Sequence, residues 1–172
     1  MTENWQWLEG TYWYVPEENL PALQFNPAAA EAEAFQWFSD QTVFHIQRYQ
    51  NGYFWGKTYV QMTPLQQNLD QPSSTLTSCS TLIGTVTPEG YVYLSFVLDQ
   101  APGAVLTTRG VGRMQQREGQ WCMENQMSSG VEDLVSHWAY MVQCKAGDPC
   151  REQLPGTEYS LQEFIEQVEQ NC

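Results

Sequence analysis

The chain has 172 residues, 42% of them hydrophobic and 13% aromatic, and a formal net charge of −13. That length suits one domain with a real core, and the ring content is too high for disorder. An acidic chain lacks the basic footprint that phosphate or an anionic lipid surface demands, so no nucleic acid and no membrane are expected as partners. The charge is also unevenly placed. Residues 1–47 carry seven acids and no Lys or Arg, 148–172 carry six acids and only Arg151, and 48–147 hold seven acids against six bases. A near-neutral body with acidic flanks reads first as a device for solubility.

In chain order, Gly10–Val15 (Gly-Thr-Tyr-Trp-Tyr-Val) is the first expected strand. Pro16–Asp40 holds three prolines, then an Ala/Glu run that favours a short helix over about 28–36, with Asn26-Pro27 as cap and first turn. Thr42–Gln50 and Tyr53–Val60 alternate around Asn51-Gly52, the strongest short-range hairpin signal, because a type I′ turn needs positive φ at both central residues. Turns are also marked at Glu89-Gly90 and Glu118-Gly119, and Thr63–Ser74 reads as a polar surface loop. Further strands are expected over about 75–87, 91–98, 104–117, 120–128 and 133–144. Ser160-Leu-Gln-Glu163 is a capping box, and Leu161, Phe164, Ile165 and Val168 fall on one stripe, so a final helix over 160–170 should dock on the sheet. The fold class is all-β: an antiparallel up-and-down barrel of eight to ten strands, in a single domain over 1–172 with a C-terminal helix.

A two-residue turn at Glu118-Gly119 sets a register. Arg117 then pairs Gln120, Arg113 pairs Glu124 and Arg109 pairs Ser128. Arg109, Val111, Arg113, Gln115, Cys122, Glu124 and Gln126 share one face. Gly110, Gly112, Met114, Trp121, Met123 and Met127 share the other, the apolar inside. The two inward glycines mark a bend or room left for another group.

With Trp7-Leu8-Glu9-Gly10-Thr11-Tyr12-Trp13 ahead of this meander, the chain resembles the calycins, the superfamily of lipocalins, fatty-acid-binding proteins, avidins and nitrobindin-type barrels. Those proteins open on Gly-x-Trp, whose Trp plugs the barrel bottom; here the spacing is Gly10-x-x-Trp13. The resemblance implies an Arg late in the chain over that Trp, for which Arg151 is the candidate near the last strand. Calycin-like scaffolds bind small molecules and also host enzymes, so an isomerase, cyclase or chromophore lyase is the alternative it implies.

Trp13, Trp55, Trp121, Met123, Met127, Trp138 and Tyr140 are the candidates for lining an apolar ligand cavity, since large rings and flexible thioethers suit a flat or greasy guest. Their plainer role is to fill the core. Arg109 and Arg113, with Arg117 on the same face, are the candidate contacts for a ligand anion; a solvated strand face with an Arg113–Glu124 pair is the plainer one. His45 and His137 have the chemistry of general bases, but neither has a recognisable nucleophile beside it. No catalytic residue is assigned.

Five cysteines at irregular spacing are expected to be reduced, although Cys144 and Cys150 can approach each other across the turn at 145–149. There is no C-x-x-C for zinc and no Gly-rich phosphate loop, so neither a metal nor a cofactor is expected. Met1-Thr-Glu-Asn-Trp5 has no basic or apolar leader pattern, so a cytoplasmic location is expected. The favoured partner is a small, mostly apolar or aromatic molecule such as a pigment, tetrapyrrole, isoprenoid or fatty acid. A basic protein docking on the acidic flanks, and a homodimer, stand as alternatives.

Overall fold

A 3-10 turn at Trp5–Leu8 leads into nine strands: β1 (Thr11–Tyr14), β2 (Leu20–Phe25), β3 (Phe35–Gln50), β4 (Tyr53–Pro64), β5 (Leu76–Val86), β6 (Tyr91–Leu98), β7 (Thr107–Arg117), β8 (Gln120–Ser129) and β9 (Leu134–Cys144). A second 3-10 turn (Pro149–Arg151) and the helix α1 (Leu161–Gln170) follow. The computed structural model describes residues 4–18, 20–31, 34–65, 75–98, 107–129 and 134–172.

Strands β3 to β9 run as one antiparallel meander. β1 and β2 close it. Each pairs with β3 on one side and β9 on the other, so the two lie end to end as one stave of an eight-stave barrel. The stave is broken between Tyr14, opposite Val43, and Leu20, opposite Asp40. Five residues on one side there face two on the other. The Gln41 carboxamide spans the gap: it accepts from the Val15 N–H and donates to the Val15 carbonyl, both at 3.1 Å, and also donates to the Pro155 carbonyl at 2.9 Å. A side-chain amide here does the work of a missing backbone partner.

The hairpin turns follow their sequence signals. Asn51-Gly52 and Glu118-Gly119 have positive φ at both positions, and Gly90 closes the β5–β6 turn at φ +88°. The register of β7 on β8 is the expected one, with Arg117 opposite Gln120 and Arg109 opposite Ser128. Two elements differ from the sequence reading. Pro21 sits inside β2, where a loop was expected, because a strand there completes the broken stave. The helix expected over 28–36 does not run that length: Asn26 Oδ1 accepts from the Ala28 N–H in a turn, and β3 already starts at Phe35, opposite Phe25; residues 32 and 33 lie outside the described residues. Residues 66–74, most of the expected loop, lie outside the described residues.

Helix α1 carries the anticipated capping box. The Glu163 N–H donates to Ser160 Oγ and the Ser160 N–H to the Glu163 carboxylate, which holds that carboxyl below its usual range. Its apolar stripe packs on the outside of the barrel against Val43 and Tyr59, and Tyr59 donates its hydroxyl to Glu169 at 3.0 Å. Two disulfides hold this layer down. Cys79–Cys172 ties the end of the chain to β5, and Cys144–Cys150 closes the turn after β9. Four of the five cysteines are therefore bridged rather than reduced, because antiparallel pairing and helix docking bring distant Cα atoms to 5.9 and 6.1 Å. Cys122 alone is free, and buried.

Thiol titration in denaturant should find one reactive thiol per chain without reductant and five after reduction. Cys79→Ser, which opens a 93-residue loop, should lower stability by about 2–5 kcal/mol. Trp13→Ala, at a fully buried ring, should cost about 3–5 kcal/mol in urea unfolding.

Candidate functional site

One end of the barrel is plugged by rings. Trp5, Trp7 and Trp121 pack against one another in tilted and edge-to-face contacts with centroids 5.1–5.9 Å apart, and Trp7 reaches Trp13 at 6.1 Å. The Trp5 indole N–H donates to the Thr87 carbonyl at 2.9 Å, fastening the 3-10 turn across the strand ends. Above this plug Trp13, Phe44, Phe54, Leu82, Met123 and Met141 fill the interior. The inward glycines make this packing possible. The Phe54 ring lies where a Cβ on Gly84 would be, Asn125 does the same at Gly112, and Met127 presses on Gly110. The room that Gly110 and Gly112 leave is thus taken by side chains of the neighbouring strand β8. Gly56 answers a different need. It faces the bulge at Gln47 in β3, and a Cβ there would collide with the His45 carbonyl.

Away from the plug the inward face turns polar. Alternation along β3 puts Asp40 and Thr42 on the same side as Phe44 and Ile46. On β9 the same parity puts His137 with Ala139 and Met141. Asp40 is almost wholly buried. Both its oxygens accept from the Thr42 hydroxyl at 3.1 Å, and one lies 3.2 Å from His137 Nδ1. A carboxylate so placed fixes the ring orientation and favours the proton on Nδ1, leaving Nε2 as the atom free to meet another group. On β4 and β5, Thr58 is the direct ladder partner of Ser80, and both are buried. On β8, Asn125 is buried between Met123 and Met127. Among the described residues, two atoms in this set have no hydrogen-bond partner, Thr58 Oγ1 and Asn125 Oδ1. The Asn125 amide N–H reaches only the Met141 sulfur, at 3.9 Å. Such an orphan costs about 1–3 kcal/mol, so each needs an explanation.

Of the residues singled out from the sequence, Trp13, Met123 and Met127 are buried inside the barrel and Trp121 belongs to its plug. Trp55 and Trp138 face outward, 40% and 47% exposed. Tyr140 also faces outward, beneath the Arg117 guanidinium at 4.8 Å, with its hydroxyl pKa raised by burial and by the Cys122 contact. Those three rings are therefore separated from the interior by the sheet. Their ring character suggested an inside position, but strand parity outranks residue type. Arg109 and Arg113 lie on the outer face with Arg117. Arg113 covers Tyr91 at 5.4 Å, and Glu124 pairs with Arg117 at 3.1 Å rather than with Arg113. None of the three arginines reaches a guest held inside. Arg151 lies over Tyr12 at 5.1 Å, on the outer wall, and not over Trp13. His45 is stacked on that same Tyr12 at 4.1 Å, outside the barrel, and burial lowers its pKa.

Asp40, Thr42, Thr58, Ser80 and Asn125 were missed. The signal was present for two of them. Met123 and Met127 inside require Asn125 inside, and β3 carried upstream from Thr42 requires Asp40 inside. Among the described residues no group of three or more His, Cys, Asp or Glu could hold a metal ion.

Replacing Thr58 by Val keeps the shape and removes an orphan, so apo stability should stay level or rise by up to about 1 kcal/mol. His137→Ala should instead cost about 3 kcal/mol or more at neutral pH, since it leaves a buried carboxylate without its imidazole. Because the folded pKa of His45 is depressed, the unfolded chain takes up that proton first. Stability should fall as pH drops through about 6.5, and His45→Gln should remove that part of the fall. Set against known proteins, the chain matches no family model, no curated protein and no solved structure.

Proposed function

We propose that the barrel holds a small molecule in its polar half, with an apolar body against residues such as Phe96 and Met127 and at least one N–H or O–H group aimed inward. The observation that carries this reading is the pair of buried orphans, Thr58 Oγ1 and Asn125 Oδ1, on the same inward surface as an Asp40-oriented His137. A carbonyl oxygen accepts and never donates, so the group that satisfies Asn125 Oδ1 must be a donor. A hydroxyl such as Thr58 takes either role. The favoured guest is therefore amphipathic, more polar at one end than a plain hydrocarbon.

This reading is calycin-like in plan: a tryptophan-plugged floor, an eight-stave wall and a lined interior. The outward Arg151 departs from that plan. The two disulfides favour an oxidising environment over the cytoplasmic one expected from the sequence. A second reading, catalysis on the same scaffold, has one observation in its favour. The carboxylate–imidazole pair is the arrangement that poises a ring nitrogen to take or give a proton.

The test is thermal unfolding in the presence of a fatty acid, an isoprenoid alcohol and a tetrapyrrole, with native mass spectrometry of the purified chain. A ligand at about a hundred times its Kd should stabilise by about 2.7 kcal/mol. Asn125→Leu and Thr58→Val should weaken that ligand about tenfold or more, which is about 1.4 kcal/mol. If no probe raises the melting temperature and no guest mass is carried, the proposal fails. If binding survives His137→Gln while turnover of the bound probe is lost, catalysis becomes the better account.

A further inference from the structure

The outer wall of the barrel is dressed unevenly. Val43, Tyr59 and Cys79 lie under α1. Nearer the plugged end, across β4 to β7, Tyr53, Trp55, Ile83, Tyr91, Tyr93 and Val111 are each 40–59% exposed. The ladders make them one patch. Trp55 is opposite Ile83, and Tyr53, Thr85, Tyr93 and Val111 form a row across four strands. Tyr91 stands two residues along from Tyr93 on the same face. At about 150–250 Å² per aromatic side chain, half exposed, the six present roughly 600 Å² of apolar surface. That is the upper end of what a monomer usually shows.

The electrostatics of this wall differ from the rest of the chain. Lys57, Arg109, Arg113 and Arg117, four of the seven bases, sit on β4 and β7. Glu124 is the one acid on β4–β8 among the described residues, and Arg117 holds it.

We propose that this face docks a second copy of the chain about a two-fold axis. At a net charge of −13 two copies repel, and they meet most easily where acids are sparse. The face also carries both halves of a cation–π pair, as Arg113 over Tyr91 shows within one copy. A two-fold interface brings a patch against itself, so a patch offering both rings and guanidinium groups complements its own image. Tyr, Trp and Arg are the residues that dominate interface energetics. With the intervening Thr85, Ser95 and Arg109, the patch approaches the roughly 800 Å² per partner of a standard interface. A recess of about 520 Å³ beside Tyr53, Trp55 and Ile83 offers space for a ring from the other copy.

Sedimentation of the full chain at tens of micromolar should give twice the 19.8 kDa chain mass. Tyr93→Glu with Val111→Glu should give the single mass, with an unchanged circular dichroism spectrum and thiol count. Trp138→Glu, exposed but two strands beyond the patch, should leave the dimer intact. If the double variant does not fold, Trp55→Ser is read instead, with dimerisation about tenfold weaker expected. A monomeric parent chain, a dimer that persists in the folded patch variants, or one that Trp138→Glu breaks equally, overturns the proposal.

Discussion

Closure of the sheet is the constraint on which the rest of this structure depends. An antiparallel meander of seven strands has two open edges, and each edge is a row of unsatisfied backbone groups. β1 and β2 cover both edges at once because each pairs with β3 and with β9. They are two short pieces, and the chain between them does not follow the ladder. Gln41 makes this tolerable by giving Val15 the two hydrogen bonds that a strand neighbour would supply, and by tying the same point to Pro155. Only with the barrel closed do the two faces of each strand become an inside and an outside.

The interior grades from rings to polar groups along the barrel. At the plugged end large side chains meet glycines on neighbouring strands, so volume is conserved by pairing an oversized residue with an absent one, as Phe54 with Gly84. Toward the other end polar residues join apolar ones such as Phe96 and Met127 on the inward face, and the hydrogen bonding among the described residues is incomplete. Asp40 is well served by Thr42 and His137, while Thr58 Oγ1 and Asn125 Oδ1 have no partner among the described residues. An apolar core of the same shape would be more stable than a half-satisfied polar one. The floor is thus fully packed, whereas the lining above it keeps buried polar atoms without partners among the described residues.

The outside is divided as well. Helix α1, tied down by Cys79–Cys172, converts one part of the wall into a second core around Val43, Tyr59 and Leu161. Among the described residues no element covers the wall of β4–β7 near the plug, and its tyrosines and Trp55 are exposed. Two apolar outer surfaces thus receive different treatment, one sealed within the chain and one left exposed.

Local signals were legible without coordinates. Asn51-Gly52 and Glu118-Gly119 announced their hairpins, the register of β7 on β8 followed from the second, and the Ser160–Glu163 box marked the start of α1. These depend on backbone conformation within a few residues, where residue type decides. The rest was decided by tertiary structure. β2 is a strand because the barrel needs a closing stave there, despite Pro21. Trp55 and Trp138 lie outside because a neighbour's register sets the inward side, and a ring by itself carries no direction. Cys79 meets Cys172 because a helix folds back over β5, a contact between residues 93 apart that no local pattern encodes. Asp40 and His137, on β3 and β9, come within reach only where the first and last staves of the wall are joined.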